Sequence, residues 1–396
     1  MGANRFVFVV CGSREHIDTM HFSISALKRF SKTEIIVVTD TSRNEVPIEH
    51  NTVIDISTPE QLNHHQASIY LKTGLNRFLE KGNNYCYLDT DVVALDNTVD
   101  DIFVKYVAPV TFCTDHCVLD EFSPSAINCG CYEAFIIDQK KPYYYADDFQ
   151  KNVLPGLQYI DRCVKEIEAL VAESKSSKWG YKWHKFKYSL PGKYYHLNSR
   201  YKMDKERGVW YDQNDAPLIY KSTDKDDILY TVGKTGFSYN YETQQWYRPD
   251  GSSLTRISCA HLQEKLREKF GIDVKLPLWK HWNGGVFLFN DESSDFLEYW
   301  HNATMAIFAD KDWKTRDQGT LIGTVWKFGL MEHVTLPIAF NLIADYNNET
   351  IEYLGNLTFN IGIDKKTIKP HFIHVYHHWG DEGWDVWRDI EKHILG

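Results

Sequence analysis

Apolar and polar positions fall into a repeating order over the first quarter of the chain. Phe6 to Val10 is an unbroken apolar run that ends at Cys11-Gly12-Ser13-Arg14, which predicts a buried strand and the turn after it. From Ile17 to Phe30, Met20, Ile24, Leu27 and Phe30 recur at helical spacing. Glu34 to Asp40 predicts a second strand closed by an acid, and Thr52 to Ile56 a third, weaker one. A helix is expected from Thr58-Pro59 through Ile69, Leu71, Leu75, Phe78 and Leu79, with Pro59 in its first turn and Gly82 closing it. Tyr85 to Leu95 reads as a fourth strand carrying Asp89 and Asp91, and Val107 to Phe112 as a fifth. This alternation predicts an α/β fold with a mainly parallel, Rossmann-like sheet and flanking helices. Ligands bind at the carboxyl edge of such sheets. Cys11, Gly12, Asp40 and the pair Asp89 and Asp91 are expected along that edge, where a nucleotide would sit.

The rhythm stops at about Asp120 and returns after about Val274. Leu154 to Ala172 has helical spacing. A stretch rich in aromatic residues, Gly and Lys follows, from Trp179-Gly180-Tyr181 through Val209-Trp210-Tyr211 and Tyr239-Asn240-Tyr241 to Trp246-Tyr247-Arg248-Pro249-Asp250-Gly251. Turn residues at short intervals predict antiparallel hairpins there. No catalytic signature stands in this block, which is equally consistent with a structural subdomain and with an acceptor platform. Ala260 to Phe270 is a short charged helix. His281-Trp282-Asn283-Gly284-Gly285 then leads into the apolar strand Val286 to Asn290. The two glycines bring backbone close to something or bend it sharply. A helix is expected over Ser294 to Phe308, another opening at Thr315-Arg316-Asp317-Gln318-Gly319, and a short strand over Val334 to Phe340. The expected division is 1–119 and 275–396 as two halves of one α/β domain, with 120–274 as a large α+β insertion.

Composition narrows the function. A net charge of −10 with no basic block argues against a nucleic-acid partner. No segment reaches the roughly 20 apolar residues of a membrane-spanning helix, and a cytoplasmic protein with free thiols is the expectation. Among the 8 Cys, Cys113 with Cys117 and Cys129 with Cys131, near His116, raise zinc, but C-x₃-C and C-x-C do not match the usual structural patterns. Asp89 and Asp91 carry two carboxylates one residue apart. They face one way in a strand or lie together in a turn, and they repel unless a cation or protons intervene. The chemical reading is a divalent cation on a diphosphate; the plain one is a solvated acidic turn. Four His crowd Lys369 to Gly380, namely His371, His374, His377 and His378. In a strand His371 and His374 point to opposite faces, so one ion cannot use all four.

Four segments in order resemble the GT-A glycosyltransferases, and within them glycosyltransferase family eight, the group of glycogenin and bacterial galactosyltransferases. Tyr87-Leu88-Asp89-Thr90-Asp91-Val92-Val93 is similar to that family's Y-L-D-x-D strand. Asn283-Gly284-Gly285-Val286-Phe287 is similar to its F-N-[SA]-G-V element, with Trp282 in place of the Phe. Asp317-Gln318-Gly319-Thr320-Leu321 is similar to its D-Q-[DG]-x-L helix start, and Ile373-His374 stands where the family has H-F-x-G. The later K-P-W is absent, and His377, His378 and Trp379 stand nearby instead. The resemblance covers about residues 5–115 and 278–385. It implies Mn²⁺ (or Mg²⁺) held by Asp89, Asp91 and His374 on the diphosphate of a nucleotide sugar, with UDP as the family's nucleotide and uridine its nucleoside. It implies donor contacts from Lys72, Asn283 and Gly284, and Asp317 or Gln318 at the anomeric carbon; His377 or His378, in place of the missing K-P-W, is the candidate for added positive charge at the donor. The expected reaction is sugar transfer to a glycan or other hydroxyl acceptor, with retention. The alternatives are an inverting enzyme of the same fold and a non-catalytic carbohydrate-binding protein.

Overall fold

A computed structural model describes residues 2–133, 151, 153–218, 229–231, 237–240, 245–247, 259–314, 316–344, 351–362 and 365–396. The chain forms two compact units, residues 1–130 with 259–396, and residues 131–258. The helix His261–Phe270, expected in the insertion, belongs to the larger unit, as does a helix over Leu119–Ala126 that the pattern does not predict.

In the larger unit β1 (Asn4–Val9), α1 (Arg14–Phe30), β2 (Glu34–Thr39), β3 (Val53–Asp55), α2 (His64–Thr73) and β4 (Asn84–Leu88) follow one another. Next come β5 (Val92–Ala94), β6 (Thr111–Val118) and α3 (Leu119–Ala126). After the second unit come α4 (His261–Phe270), β7 (Lys280–Phe289), α5 (Ser294–Ile307) and α6 (Gln318–Lys327). The chain ends with β8 (Leu342–Ala344), β9 (Ile351–Gly355), β10 (Thr358–Ile361), β11 (Lys366–Ile368), β12 (Phe372–Val375) and α7 (Asp385–Leu395). The central sheet has six strands in the order β3-β2-β1-β4-β7-β6. β1, β2, β3 and β4 run parallel, and β7 is antiparallel to both of its neighbours. This is the mixed α/β, mostly parallel sheet that the sequence pattern predicts.

Both faces of the sheet are covered. Phe6, Phe8, Cys86, Leu88 and Leu288 pack on one side with Ile17, Met20, Ile24 and Leu27 of α1. Val7, Val9, Tyr85, Tyr87 and Phe287 pack on the other with Ala67 and Leu71 of α2 and Phe296 and Trp300 of α5. Phe112 stacks between Trp282 and Phe287, with centroids 5.2 and 4.6 Å away; each such pair adds about 1 kcal/mol beyond its area.

Several boundaries differ from expectation for local reasons. α2 starts at His64, where Asn63 and Gln66 form a reciprocal capping box. Thr58 instead turns its hydroxyl and backbone N–H to Asp40, so the helix expected from Thr58-Pro59 begins later. It ends at Gly74 and a single turn, Leu75–Phe78, well before Gly82. The fifth strand runs over Thr111–Val118 rather than Val107 to Phe112, because the Val107 N–H and C=O are taken by the Thr111 hydroxyl. Val334 to Phe340 is not a strand: Ile338–Phe340 is a 3-10 turn, and the strand follows it.

The run Tyr85 to Leu95 is two strands. β4 stays in the central sheet, while β5 pairs antiparallel with β12 in a second sheet ordered β8-β12-β5. The chain changes sheets at Asp89-Thr90-Asp91, closed by Val92 N donating to Asp89 O at 3.1 Å.

The second unit has helices Leu154–Lys175 and Lys178–Ser189. Two three-stranded antiparallel sheets follow, built from Tyr194–His196, Lys202–Asp204 and Trp210–Tyr211, and from Leu229–Thr231, Ser238–Asn240 and Gln245–Tyr247. Tyr241 and the segment Arg248 to Gly251 lie outside the described residues.

Candidate active site

β1 and β4 are parallel and in register, so the turns after them open on the same carboxyl edge. The turn after β1 depends on Gly12, whose φ is +108° and where a Cβ would lie 2.7 Å from His64 Nδ1. A side chain there meets both a disfavoured backbone region and a neighbour. Gly12 N donates to Asn44 Oδ1 at 3.1 Å, and the buried Cys11 offers its carbonyl to Ser68 Oγ at 3.3 Å. Asp40, at the end of β2, spends its carboxylate on Ser42, Arg43 and Thr58. It shapes this loop from within.

His64, Ser68 and Lys72 stand at i, i+4 and i+8 on α2, one face of the helix. That face leads from the Gly12 turn to the acids after β4. Lys72 Nζ is 3.2 Å from Asp89 Oδ1 and 3.0 Å from Asp317 Oδ2. It also sits 5.1 Å over the Tyr87 ring, and the Tyr87 hydroxyl donates to Asp89 Oδ1. Burial opposes the Lys72 charge, but Asp317 and then Asp89 outweigh it and hold the ammonium above its ordinary range. Burial pushes the Asp89 carboxyl up; Lys72 opposes that and Asp91 adds to it.

The sheet change at Asp89-Thr90-Asp91 creates the rest. β12 pairs with β5 so that His374 faces Val92, and Val375 N donates to Asp91 O at 3.0 Å. His374 Nε2 comes to 3.2 Å from Asp91 Oδ1. Burial works against the His374 charge, and Asp91 more than compensates, so its pKa is raised. One ligand atom each from Asp89, Asp91 and His374 lie within 4.8 Å of one another. Two carboxylates and one imidazole suit a divalent ion of the Mn²⁺ type, and the residues fit such an ion. His371 points away, as expected, to Asp96 at 2.9 Å and to Thr98 at 2.7 Å.

Asn341, just before β8, was not legible in the sequence as part of the site. Its Oδ1 lies 3.1 Å from His374 Nδ1, and its Nδ2 donates to Asn283 Oδ1 at 2.9 Å. The amide orientation is thereby set, and Asn341 Oδ1 asks for a proton on His374 Nδ1. That leaves Nε2 to face Asp91 or a metal. Asn283 also accepts from Gly285 N at 2.8 Å and donates to Asp115 Oδ2 at 2.9 Å. The polar chain thus runs Asp91, His374, Asn341, Asn283, Asp115. Asp115 is buried and held well below the usual carboxylate range: burial opposes its charge, and His281 and His116 overcome that.

The glycines of β7 do what the sequence pattern asks of them. Pairing with β6 is irregular between Asn283 and Phe287, where several β7 residues face a single step of β6. A Cβ on Gly285 would lie 2.4 Å from His374 Cε1, and one on Gly284 would lie 3.4 Å from Lys72 Nζ and 3.6 Å from Asp317 Oδ2. Gln318 is tied to this strand: Oε1 accepts from Gly284 N at 3.0 Å, and Nε2 meets Trp282 O and His281 Nδ1. Asp317 Oδ2 is buried and held by the Lys72 ammonium. His377 is exposed on the loop after β12, with its ring 3.9 Å from that of Tyr376. Thr315 lies outside the described residues.

No family model matches the chain, and no curated protein matches it in sequence. Solved structures do show similarity. One is the apo form of WbbM, a bifunctional glycosyltransferase, with 12% identity and a TM-score of 0.43 over 100% of this chain. The chain spans only 50% of that protein's length. Mouse xyloside xylosyltransferase 1, apo form, has 9% identity and a TM-score of 0.36, over 87% of this chain and 89% of its own. The galactosyltransferase LgtC, in complex with donor and acceptor sugar analogs, has 9% identity and a TM-score of 0.35, over 99% and 94%.

Proposed function

We propose that this chain is a metal-dependent GT-A glycosyltransferase that moves a sugar from a nucleotide-diphosphate sugar to a hydroxyl of a glycan or related acceptor. What carries this reading is the cluster of Asp89, Asp91 and His374 at the carboxyl edge of parallel strands, with Lys72 and Asp317 beside it. An acidic turn without function would not need a buried lysine, a buried histidine and an asparagine relay converging on it.

Asp89, Asp91 and His374 would hold Mn²⁺ or Mg²⁺, which as a Lewis acid offsets the charge developing on a leaving diphosphate. The imidazole among the ligands fits Mn²⁺ better than the harder, oxygen-seeking Mg²⁺. Lys72 adds a fixed positive charge beside the same oxygens, and His377 stands on the loop that could reach them. The Gly12 turn and the His64–Ser68 face of α2 would receive the nucleoside, uridine by the family resemblance. Gly284 and Gly285 keep side chains out of the space between Lys72, Asp317 and His374. Asn283 would hold the donor sugar through its remaining N–H. Glycosyl transfer passes through an oxocarbenium-like centre; Asp317 would be the carboxylate that stabilises it, with Gln318 fixing the β7 backbone. Retention follows from the resemblance.

The test is release of nucleotide from UDP-sugars, with and without Mn²⁺. Turnover is expected only with metal. Asp89→Asn should lower it by about 10²- to 10³-fold, a few kcal/mol of barrier, with circular dichroism unchanged. Near wild-type turnover in that variant would sink the site assignment. Metal-dependent nucleotide binding with no turnover on any donor would point to a binding protein instead.

A further inference from the structure

A second cluster of metal-ligating side chains lies outside this site. Cys129, Cys131, Cys259 and His261 each bring one ligand atom within 4.8 Å of the other three. Cys129, Cys259 and His261 belong to the larger unit, and Cys131 directly follows its residue Gly130. The two pairs match in form, Cys129-Gly130-Cys131 and Cys259-Ala260-His261. Cys129 Sγ is 3.7 Å from Cys259 Sγ, and Cys259 Sγ is 3.2 Å from His261 Nδ1.

These distances are those of ligands around one small ion. Zn–S bonds of about 2.3 Å and Zn–N bonds of about 2.05 Å in a tetrahedron put sulfurs about 3.8 Å apart and sulfur and nitrogen about 3.6 Å apart. A disulfide would need about 2.05 Å, and Cys129 and Cys259 are too far apart for one. The local structure serves the same end. Gly130 has φ +71° with nothing within 4 Å of an added Cβ, so the chain turns between the two cysteines without strain. Ser123 Oγ donates to Cys259 Sγ at 3.2 Å and accepts from Leu262 N at 2.9 Å. A hydrogen bond to a ligating sulfur is the usual outer support of such a site. Beside the cluster is the apolar core of Leu119, Ala126, Ile127, Leu262 and Leu266, against which Cys129 packs.

We propose that Cys129, Cys131, Cys259 and His261 form a structural Cys₃His zinc site. Binding deprotonates the three thiols and releases three protons to solvent. Four protein ligands fill the tetrahedron, leaving no open position for substrate. The ion ties positions 129–131 to 259–261, the points where the chain leaves and re-enters the larger unit's sequence. A link that closes so long a stretch of chain removes much conformational freedom from the unfolded state. The site was hidden in the sequence because C-x-C stands alone there, and its partner pair comes only after the whole intervening block.

The test is metal analysis of the full chain, untagged and grown with added zinc, after dialysis against a weak chelator. About one zinc per chain is expected. Replacement by Co²⁺ should give tetrahedral visible bands and an intense near-ultraviolet thiolate charge-transfer band. Cys129→Ser and His261→Ala should each lower zinc retention at least tenfold, while Cys117→Ser keeps it. Four results would overturn the proposal: no zinc and no cobalt bands in the wild type, zinc kept by Cys129→Ser, iron in place of zinc, or a Cys129–Cys259 disulfide seen by mass. The wild-type cobalt spectrum decides even if a variant fails to fold.

Discussion

At the scale of single residues, Lys72 and Asn341 support the site in different ways. Lys72 stands between Asp89 and Asp317. Removing one partner of a buried ion pair leaves its counter-charges exposed to a low-dielectric interior, at a cost of about 3–5 kcal/mol. Lys72→Met is therefore expected to lower unfolding stability by that order without metal, and by less with Mn²⁺, which restores positive charge beside Asp89. Urea titrations with and without Mn²⁺ check both. Asn341 stands one step back from the proposed ion, behind His374. Asn341→Ala frees the His374 ring and should weaken Mn²⁺ binding about 10- to 100-fold, measurable by calorimetry, with little change in fold. Asp89, Asp91, His374, Lys72 and Asp317 were all legible as chemistry in the sequence. Asn341, Asp115 and His281 were not, because a lone amide, acid or imidazole carries no pattern until its neighbours are known.

At the scale of elements, the site depends on how β7 and β12 meet. Gly285 gives His374 its room, since a Cβ there would lie 2.4 Å from the ring. Gly285→Ala should fold, shift β12 and lose Mn²⁺ binding; a variant that binds Mn²⁺ as tightly as the wild type would refute the packing argument. The α2–α5 contact makes a separate, pH-dependent forecast. His301 on α5 meets Thr73 Oγ1 at 2.9 Å and the Tyr70 ring at 5.0 Å. Burial, with Arg77 nearby, lowers its pKa from 6.5 to about 4. A folded pKa below the unfolded one gives stability that is full above 6.5 and is lost as pH falls from there to about 4. The loss should approach about 3 kcal/mol at 1.36 kcal/mol per pH unit. His301→Gln should flatten this dependence in urea unfolding at pH 7 and pH 4. Helix α1 and strands β1, β2 and β4 were readable from periodicity. The start of α2 was not, because Asn63 and Gln66 outcompete Pro59 through a cap that the apolar pattern does not register.

At the scale of the whole molecule, the chain carries a net charge of −10, and its candidate donor is an anion. Attraction must then be local, from Lys72 and a metal. UDP without metal is expected to leave the melting temperature unchanged, while UDP with Mn²⁺ at 100 times Kd should add about 2.7 kcal/mol of stability; equal stabilisation without metal would contradict the site. Among the described residues no helix is long and apolar enough to cross a membrane. The aromatic block forms a unit with its own core, which includes Ile160, Cys163, Ile167, Tyr201 and Trp246, while Trp179, Tyr181, Trp183, Phe186 and Tyr188 are exposed.

The sequence by itself determined the sheet class, the edge on which chemistry collects and the residues that could ligate. Those follow from short-range patterns: apolar runs of strand length, helical spacing, and acids or glycines at their ends. Only the tertiary structure decided that the strand after Tyr85 changes sheets at Asp89-Thr90-Asp91, and that this change brings His374 to Asp91. It alone decided that Asp317 meets Lys72 while Gln318 ties to the β7 backbone, and that Cys129 and Cys131 find Cys259 and His261. Each of these depends on contacts between residues far apart in the chain, and no local pattern encodes the register in which such segments meet.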